Sequence, residues 1–195
     1  MSRLLKKLNK RKAIAKSTCD LFITKGFVNI SISEIAKVAG IGKGTIYEYF
    51  TNKEDIIFEL MSCLQEDYDP KLKENLEASN STQEKIKDLF SLYISDEPVV
   101  QTQRAIYKEF LAITLNNPSL EIIEYQNNMM EKYTTILMDI IQDGIKNGEL
   151  KEEAINFIPS IFATLDGFFI ARKSKQVIIE YIDNLSQLLK KEDIQ

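Results

Sequence analysis

Positively charged and hydroxyl-bearing side chains are concentrated in one short run of the chain. Lys43, Thr45 and Tyr47 alternate along the sequence, and Lys53 follows six residues later. A lysine neutralises a phosphate as a point charge, and hydroxyl groups donate hydrogen bonds to phosphate oxygens. Gly44 lies inside the run, where the absence of a side chain permits close approach of another molecule. These residue types are those of a surface that binds a polyphosphate.

The charge of the chain is divided between its two ends. Through residue 53 there are 11 lysines and arginines and 3 acidic residues, which gives +8. The whole chain carries -4, so the remaining residues carry -12. This polarity is expected of a protein that places one end on nucleic acid. A basic segment that is only solvated is the alternative interpretation.

The sequence contains no histidine, which removes the usual general base and the most common metal ligand. The acidic residues have the spacing of solvated helix surfaces, and Cys19 and Cys63 lack metal-ligand spacing. The glycines around Lys43 do not form a phosphate-binding loop, since Gly44 stands where that motif requires Ser or Thr. We therefore expect no enzyme activity, no catalytic residues, no metal site and no cofactor.

The composition is that of a globular helical protein. The chain has 195 residues, of which 44% are apolar, and only 7 glycines and 4 prolines. Long segments without either residue favour an all-α fold of about nine helices. The N-terminal leucines are interrupted by lysines, so no signal peptide is expected, and we expect no stretch that could span a bilayer. Two cysteines interpreted as buried free thiols fit a cytoplasmic location.

A first helix is predicted over residues 12–25, because Ile14 and Phe22 recur on one face and Gly26 follows as a stop signal. Residues 1–10 precede it as a short basic arm. This arm either reaches the minor groove of DNA or is a frayed, solvated terminus.

A helix-turn-helix is predicted to follow. Ser31 and Glu34 have the spacing of a capping box, which opens a second helix near Ile32. Gly40 ends that helix in a sharp turn, and a third helix is predicted over 43–49. Two short helices joined by about four residues form the motif that inserts its second helix into the major groove.

Three runs in this region resemble the DNA-binding domain of the TetR family of bacterial transcriptional repressors. The matching residues are Leu21-Phe22-x-x-Lys25-Gly26-Phe27, then Ile32-x-Glu34-Ile35-Ala36-x-x-Ala39-Gly40-Ile41, then Lys43-Gly44-Thr45-Ile46-Tyr47-x-Tyr49-Phe50-x-x-Lys53-Glu54. The resemblance implies a homodimer whose two DNA-binding heads bind a palindromic operator in double-stranded DNA. It also implies a helical body whose small-molecule ligand controls the separation of the heads.

The resemblance further implies a DNA-binding set of residues. These are Ser31, Lys43, Gly44, Thr45, Tyr47, Tyr49 and Lys53. The two tyrosines have an alternative, which is packing inside the head. Gly42 departs from the family pattern, because Ser or Thr often caps the third helix there. Glu48 also departs from it, and its role stays open between base recognition and an outward-pointing position.

The predicted head comprises residues 1–52, and the predicted ligand-binding and dimerisation body comprises residues 53–195. The body starts with a helix that runs from Lys53 towards Asp67, and Pro70 is expected to kink or end it. Further helices are predicted over 83–95, 99–116, 119–147, 153–172 and 176–190.

Two apolar stripes on the last two predicted helices are interpreted as the dimer interface that the family builds from its last two helices. The residues are Ile155, Ile158, Phe162, Leu165, Phe169, Ile178, Ile182 and Leu185. The alternative is that both stripes serve one intrachain core. Pro159 is expected to kink the first of these helices.

A ligand-binding set is predicted in the helices that would surround a family pocket. It consists of Phe90, Tyr93, Arg104, Tyr107, Phe110, Tyr125, Met129 and Tyr133. The alternative for the aromatic residues is ordinary core packing. The effector is unknown but expected to be apolar or aromatic.

The hypothesis is therefore a ligand-responsive dimeric repressor that a small-molecule effector releases from a palindromic operator. One alternative is a ligand-independent architectural or cell-cycle DNA-binding factor. The other is an enzyme or scaffold that uses only the helical body.

Overall fold

The computed structural model describes residues 3–116 and 119–191, and it is built from helices. They are α1 Arg3–Ser17, α2 Cys19–Lys25, α3 Ile32–Val38, α4 Lys43–Ile46, α5 Lys53–Ala78, α6 Thr82–Leu89, α7 Ser91–Ile94, α8 Pro98–Asn116, α9 Leu120–Lys146, α10 Ile158–Ile170 and α11 Lys175–Leu189. Short 3-10 helices cover Phe27–Asn29 and Glu152–Phe157. The predicted all-α fold is confirmed.

The described residues divide into two compact units. The first unit takes its described residues from Met1–Pro70 and Gln101–Asn117, and the second from Lys71–Val100 and Pro118–Gln195. Helices α5 and α8 each contribute residues to both units. The division into a head and a body at residues 52 and 53 stays a prediction.

The N-terminal segment differs from the prediction in two ways. Helix α1 begins at Arg3, so the described part of the basic arm is helical rather than frayed. The single helix predicted over 12–25 is broken at Thr18, which separates α1 from α2. There the backbone N–H of Thr18 donates to the carbonyl of Ala15 at 3.0 Å, and its hydroxyl donates to the same oxygen at 2.6 Å. These local bonds replace the regular helical pattern.

Helix α5 continues through Pro70 to Ala78, so the proline does not end this helix, and the kink expected as the alternative stays a prediction. A proline inside a helix removes one hydrogen bond and costs about 3 kcal/mol. Buried side chains before and after the proline stabilise the helix against this cost. They are Met61 and Leu72, both on α5.

The helix predicted over 83–95 is divided at Phe90, which is fully buried and separates α6 from α7. The helix predicted over 153–172 starts with a 3-10 turn and becomes α-helical at Ile158. Pro159 lies in the first turn of α10 rather than inside a longer helix. The predicted kink is replaced by a helix start, where a missing backbone N–H costs nothing.

Most of the apolar residues predicted to face a partner protomer are buried inside the second unit instead. Helix α10 packs against α9, and α11 packs against α6 and α7. The protomer alone therefore covers Ile158, Phe162, Leu165, Ile178, Ile182 and Leu185. Ile155 is 37% exposed and Phe169 is half-buried. This burial supports the intrachain-core alternative for the six side chains, and their assignment to a dimer interface stays a prediction.

The segment Glu152–Ile170 is long and apolar enough to cross a membrane by length and composition alone. The expectation that no stretch has this property is therefore wrong. The segment nevertheless contributes Ile158, Ile161 and Leu165 to the core of the second unit, as a core helix does.

Both cysteines are free, as expected. Cys63 is buried, whereas Cys19 is partly exposed. Burial raises the pKa of both thiols, which keeps them protonated at neutral pH.

Candidate nucleic-acid interface

Helix α3 starts with the predicted capping box. The Ser31 hydroxyl accepts a hydrogen bond from the Glu34 backbone at 3.3 Å, and the Glu34 carboxylate accepts from the Ser31 backbone N–H at 2.9 Å. Lys25 forms an ion pair with the same carboxylate at 2.5 Å. This ammonium group and the Ser31 hydrogen bonds lower the pKa of Glu34 to about 2. The first helix of the motif is therefore fixed by local bonds.

The turn after α3 depends on Gly40. Its φ is +67°, in the left-handed region that glycine adopts without a steric penalty. The backbone N–H of Ile41 then donates to the Ala36 carbonyl at 3.0 Å, which closes the helix end. The chain reverses sharply here and enters α4 two residues later.

Helix α4 is shorter than predicted. It begins at Lys43 after Gly42, which supplies no side-chain cap, and it ends at Ile46 rather than Tyr49. Residues 47–49 form a turn in which Glu48 N–H donates to the Thr45 carbonyl at 3.2 Å, a tighter turn than that of an α-helix.

The predicted DNA-binding residues around α4 lie at the surface to different degrees. Lys43 and Gly44 are exposed, and Tyr47 is 55% exposed, so it does not pack in the core. Thr45 and Tyr49 are half-buried. On the opposite face, Ile46 and Phe50 are buried and anchor the segment. Ser31, at the start of α3, is exposed and donates its hydroxyl hydrogen bond to Glu34 at 2.8 Å.

Lys53 has a position that the sequence did not predict. Its ammonium group donates to the Phe27 carbonyl at 2.7 Å and to the Ile30 carbonyl at 3.0 Å. It also lies 4.2 Å from the centre of the Phe27 ring. Burial lowers the pKa of Lys53. These contacts connect the start of α5 to the turn after α2, and the predicted phosphate contact stays a prediction.

Part of the positive charge counted in the sequence is neutralised inside the first unit. Arg11 forms ion pairs with Asp55 and Glu59 and lies 4.4 Å from the centre of the Phe50 ring. Two further lysines are also paired with carboxylates of α5, Lys12 with Glu66 and Lys16 with Asp67. These three cations hold α1 against α5.

The cations at the start of α1 remain exposed. Arg3, Lys6, Lys7 and Lys10 are spaced by three and four residues, which places them on one face of the helix. Within the part of the chain that the structure describes, none of the four forms an ion pair. We call this face the α1 cation stripe. Its i, i+3, i+4, i+7 spacing was a signal in the sequence that the interpretation as an arm overlooked.

The α1 cation stripe lies next to the end of the helix-turn-helix. A surface groove is lined by Arg3, Leu4, Lys6, Lys7, Glu48 and Tyr49. Glu48 therefore points to the surface beside three cations. The groove extends the exposed positive surface beyond α4.

A contact between α8 and the head was also not predicted. The carboxylate of Glu109 accepts a hydrogen bond from the backbone N–H of Phe27 at 2.6 Å. Gly26 precedes this bond with φ +74° and ψ 152°, a conformation that residues with a side chain rarely adopt. The two partners are separated by 82 residues, so no local pattern could have indicated the bond.

The predicted ligand-binding residues are distributed over both units. Arg104, Tyr107 and Phe110 belong to the first unit, and Phe90, Tyr93, Tyr125, Met129 and Tyr133 belong to the second. All are buried except Arg104, Tyr125 and Tyr133, which are half-buried. Their role in ligand binding stays a prediction.

Inside the second unit, the Tyr93 hydroxyl lies 2.8 Å from a carboxylate oxygen of the buried Asp166. The Tyr93 ring stacks on Phe169, with 4.9 Å between ring centres. Phe169 was predicted to face a partner but belongs to this cluster. Asp166 was overlooked in the sequence because it stands alone in an apolar helix.

Comparison with known proteins identifies the family. The profile of bacterial regulatory proteins of the tetR family matches residues 14–60. The fatty acid metabolism regulator protein of Bacillus subtilis (strain 168) is 31% identical over 144 residues, which cover 71% of this chain and 70% of that protein.

Two crystal structures are similar over nearly the whole chain. The transcriptional regulator FadR from Bacillus subtilis in complex with stearoyl-CoA is 26% identical, with a TM-score of 0.64, and the match covers 90% of this chain and 95% of that one. A TetR-family transcriptional regulator from Cytophaga hutchinsonii has a TM-score of 0.79 at 19% identity and covers 99% of both chains, which shows a shared fold. The extent and identity of these matches, together with the capped helix-turn-helix, show that the chain belongs to the TetR family of bacterial transcriptional regulators.

Proposed function

We propose that the protein is a dimeric repressor that binds a palindromic operator and is released from it by a long-chain acyl-CoA. The observation that carries the DNA-binding part is the exposed face of α4. Lys43 and Gly44 lie on this face and the exposed Tyr47 follows the helix directly, while the buried Ile46 and Phe50 anchor the segment on its inner side. Such a repressor acts on chromosomal DNA and therefore in the bacterial cytoplasm.

The division of charge supports a DNA interface at this end of the chain. An acidic protein with a net charge of -4 approaches DNA favourably only through a locally positive surface. Lys43 and the α1 cation stripe supply such a surface beside the helix-turn-helix. In the proposed complex α4 enters the major groove and the stripe lies along the phosphate backbone.

The proposed dimer interface uses the outward faces of α10 and α11. On α11, Val177, Tyr181 and Leu188 share one face, and Val177 and Leu188 are 37% and 58% exposed. On α10, Ile170 is 53% exposed, and the exposed Ala163 is small enough for close helix packing. Exposed apolar stripes on both terminal helices support association through them. The proposed interface uses these exposed stripes rather than the buried residues predicted from the sequence.

The proposed effector class rests on the relatives. One is a fatty acid metabolism regulator at 31% identity, and another is a structure in complex with stearoyl-CoA at 26% identity. A long acyl chain requires an apolar lining, and the predicted ligand-binding set is mainly aromatic. This narrows the apolar or aromatic effector expected from the sequence to an acyl thioester.

Helix α8 offers a physical route from ligand to head. It carries Tyr107 and Phe110 of the predicted ligand set, and between them Glu109 bonds the backbone of Phe27 at 2.6 Å. A ligand that displaces α8 therefore shifts the turn that precedes α3. Two heads must place their recognition helices about 34–36 Å apart to occupy successive major grooves. A ligand that favours another spacing draws the dimer off the operator by population shift.

Release from operator DNA tests the proposal. A fluorescent operator duplex would be titrated with the protein. Palmitoyl-CoA, free CoA or palmitate would then be added, with palmitoyl-CoA and palmitate kept below their critical micelle concentrations. We expect release by palmitoyl-CoA and retention of the complex with free CoA. Equal release by all three compounds, or release by none, would contradict the proposed effector class while leaving the DNA-binding proposal to its own test.

A further inference from the structure

Gln103 on α8 is buried, with 6% of its surface exposed. Only one of the two polar atoms of its side-chain amide has a hydrogen-bond partner among the described residues. The Nε2 group donates to the Leu64 carbonyl at 3.0 Å. The Oε1 atom has no hydrogen-bond donor among the described residues. The orientation of the amide is fixed, because the Leu64 carbonyl only accepts and must therefore face Nε2.

An unsatisfied buried acceptor is unusual enough to require a cause. Native proteins pair most buried polar side-chain atoms, since an unpaired one loses its bond to water without replacement. Here the Nε2 end of the amide has a partner in the Leu64 carbonyl, and the Oε1 end has none among the described residues. A hydrogen-bond donor from outside the chain would satisfy this acceptor.

The surroundings of Gln103 indicate what kind of molecule would bring that donor. Gln103, Tyr107 and Phe110 are spaced at i, i+4 and i+7, which places them on one face of α8. The rings of Tyr107 and Phe110 are stacked with 6.3 Å between their centres. Phe58 of α5 meets Phe110 edge to face at 5.9 Å. The acceptor therefore stands at one end of an aromatic face in the first unit.

We propose that Gln103 Oε1 is a ligand-recognition group that accepts a hydrogen bond from an amide N–H on an otherwise apolar ligand. The inference rests on the proposed function and specifies the ligand chemistry of that site. The pantetheine arm of an acyl-CoA carries amide N–H groups beside the acyl chain, whereas a fatty acid anion carries only acceptors near its carboxylate. A buried acceptor repels such a carboxylate and binds an N–H, so Gln103 selects the thioester over the free acid.

A matched pair of probes tests the proposal. N-Methylpalmitamide carries one amide N–H, and methyl palmitate has a similar chain without a donor. Binding to the full-length protein would be measured as concentration-dependent stabilisation against heat. We expect the wild type to bind the amide about tenfold more tightly than the ester. Equal binding of the two probes, or binding of neither, would overturn the proposal.

Two variants locate the effect. Gln103→Met retains side-chain length and removes both polar atoms, so we expect the amide preference to disappear. The ligand-free Tm should change little, because the substitution removes both the unpaired acceptor and the Nε2 hydrogen bond to the Leu64 carbonyl. Gln142→Met, at an exposed position of α9, is the control and should retain the preference. A Gln103→Met protein that folds normally and still prefers the amide would overturn the assignment.

Operator release from the wild type and from Gln103→Met distinguishes the role of Gln103 from the repressor proposal. If palmitoyl-CoA releases operator from Gln103→Met as readily as from the wild type, the repressor proposal stands and the role of Gln103 is wrong. If palmitoyl-CoA does not release the wild type but the amide preference depends on Gln103, the acceptor role stands and acyl-CoA is the wrong effector.

Discussion

Tyr47 is the residue at which DNA binding and folding separate most clearly. It is 55% exposed, and its neighbours Ile46 and Phe50 supply the buried anchors. We expect Tyr47→Ala to weaken operator binding while the free energy of unfolding changes by less than about 0.5 kcal/mol. Operator titration and chemical denaturation measure the two effects. A large loss of stability would instead make Tyr47 a structural residue.

Glu34 gives the head a defined dependence on pH. Lys25 and Ser31 lower its pKa from 4.5 to about 2 in the folded protein. Because the folded value lies below the unfolded one, the stabilisation is complete above about pH 4.5 and is lost as the pH falls towards 2. We expect the Tm difference between wild type and Glu34→Gln to shrink over this range. Thermal melts between about pH 3 and about pH 6 would measure it, and a constant difference would contradict the assigned contacts.

Among the elements, α3 was predictable and α1 was not, for a physical reason. The capping box at Ser31 and Glu34 acts within four residues, so the sequence displays it. The break at Thr18 has no comparable signal, since threonine is common inside helices. The ion pairs of Arg11 join α1 to α5 across more than 40 residues. Interactions of this range depend on the folded arrangement and leave no local pattern.

The α1 cation stripe predicts a measurable electrostatic effect. Replacing Arg3, Lys6, Lys7 and Lys10 by Gln should reduce the magnitude of the salt dependence of operator binding by about 0.9 for each phosphate that these side chains neutralise in the wild-type complex. Sequence preference should persist, because phosphate contacts carry little sequence information. Binding titrations at several salt concentrations would measure the slope.

A control for this variant must have the same change in net charge. Replacing four exposed lysines of the second unit by Gln meets this need, and they are Lys132, Lys146, Lys173 and Lys191. The control should retain most of the wild-type salt dependence. Equal slopes for both quadruple variants would show that the stripe acts only through net charge.

A substitution in α8 is expected to impair the response to the effector without impairing operator binding. Glu109→Ala removes the acceptor for the Phe27 N–H, a bond of 2.6 Å. We expect operator affinity to change little and the palmitoyl-CoA concentration for half-maximal release to rise about tenfold, which corresponds to about 1.4 kcal/mol of coupling. Glu124→Ala, at an exposed position of α9, is the control. An unchanged release curve for Glu109→Ala would show that the Glu109–Phe27 hydrogen bond does not couple effector binding to operator release.

For the whole molecule, the sequence indicated the family and the helical fold but not which apolar stripe meets which neighbour. Ile178 and Ile182 were predicted to face a partner, yet they are buried against the same protomer. Val177 and Leu188 lie on the adjacent stripe of α11 and are exposed. Both stripes have helical spacing, so periodicity alone does not distinguish an intrachain neighbour from a second chain.

Measurement of dimerisation tests the proposed interface on α10 and α11. In a symmetric dimer, Leu188→Lys introduces one charged side chain from each protomer into the proposed apolar interface. We therefore expect the dimer dissociation constant to rise at least about tenfold. Sedimentation velocity over a range of concentrations would measure it. Leu120→Lys, at an apolar position of α9 that is 85% exposed, is the matched control and should leave association unchanged. Identical sedimentation of wild type and Leu188→Lys would exclude this face.

Selection of binding sites from random duplex DNA at near-physiological salt tests the central claim most directly. The full-length protein would be used without effector, and enriched sequences would be read after several rounds. A dimer with one helix-turn-helix per protomer should enrich a palindrome whose half-site centres lie one or more helical turns of about 10–10.5 base pairs apart. Salt-sensitive binding without an enriched palindrome would contradict a specific dimeric repressor and favour an architectural DNA-binding protein.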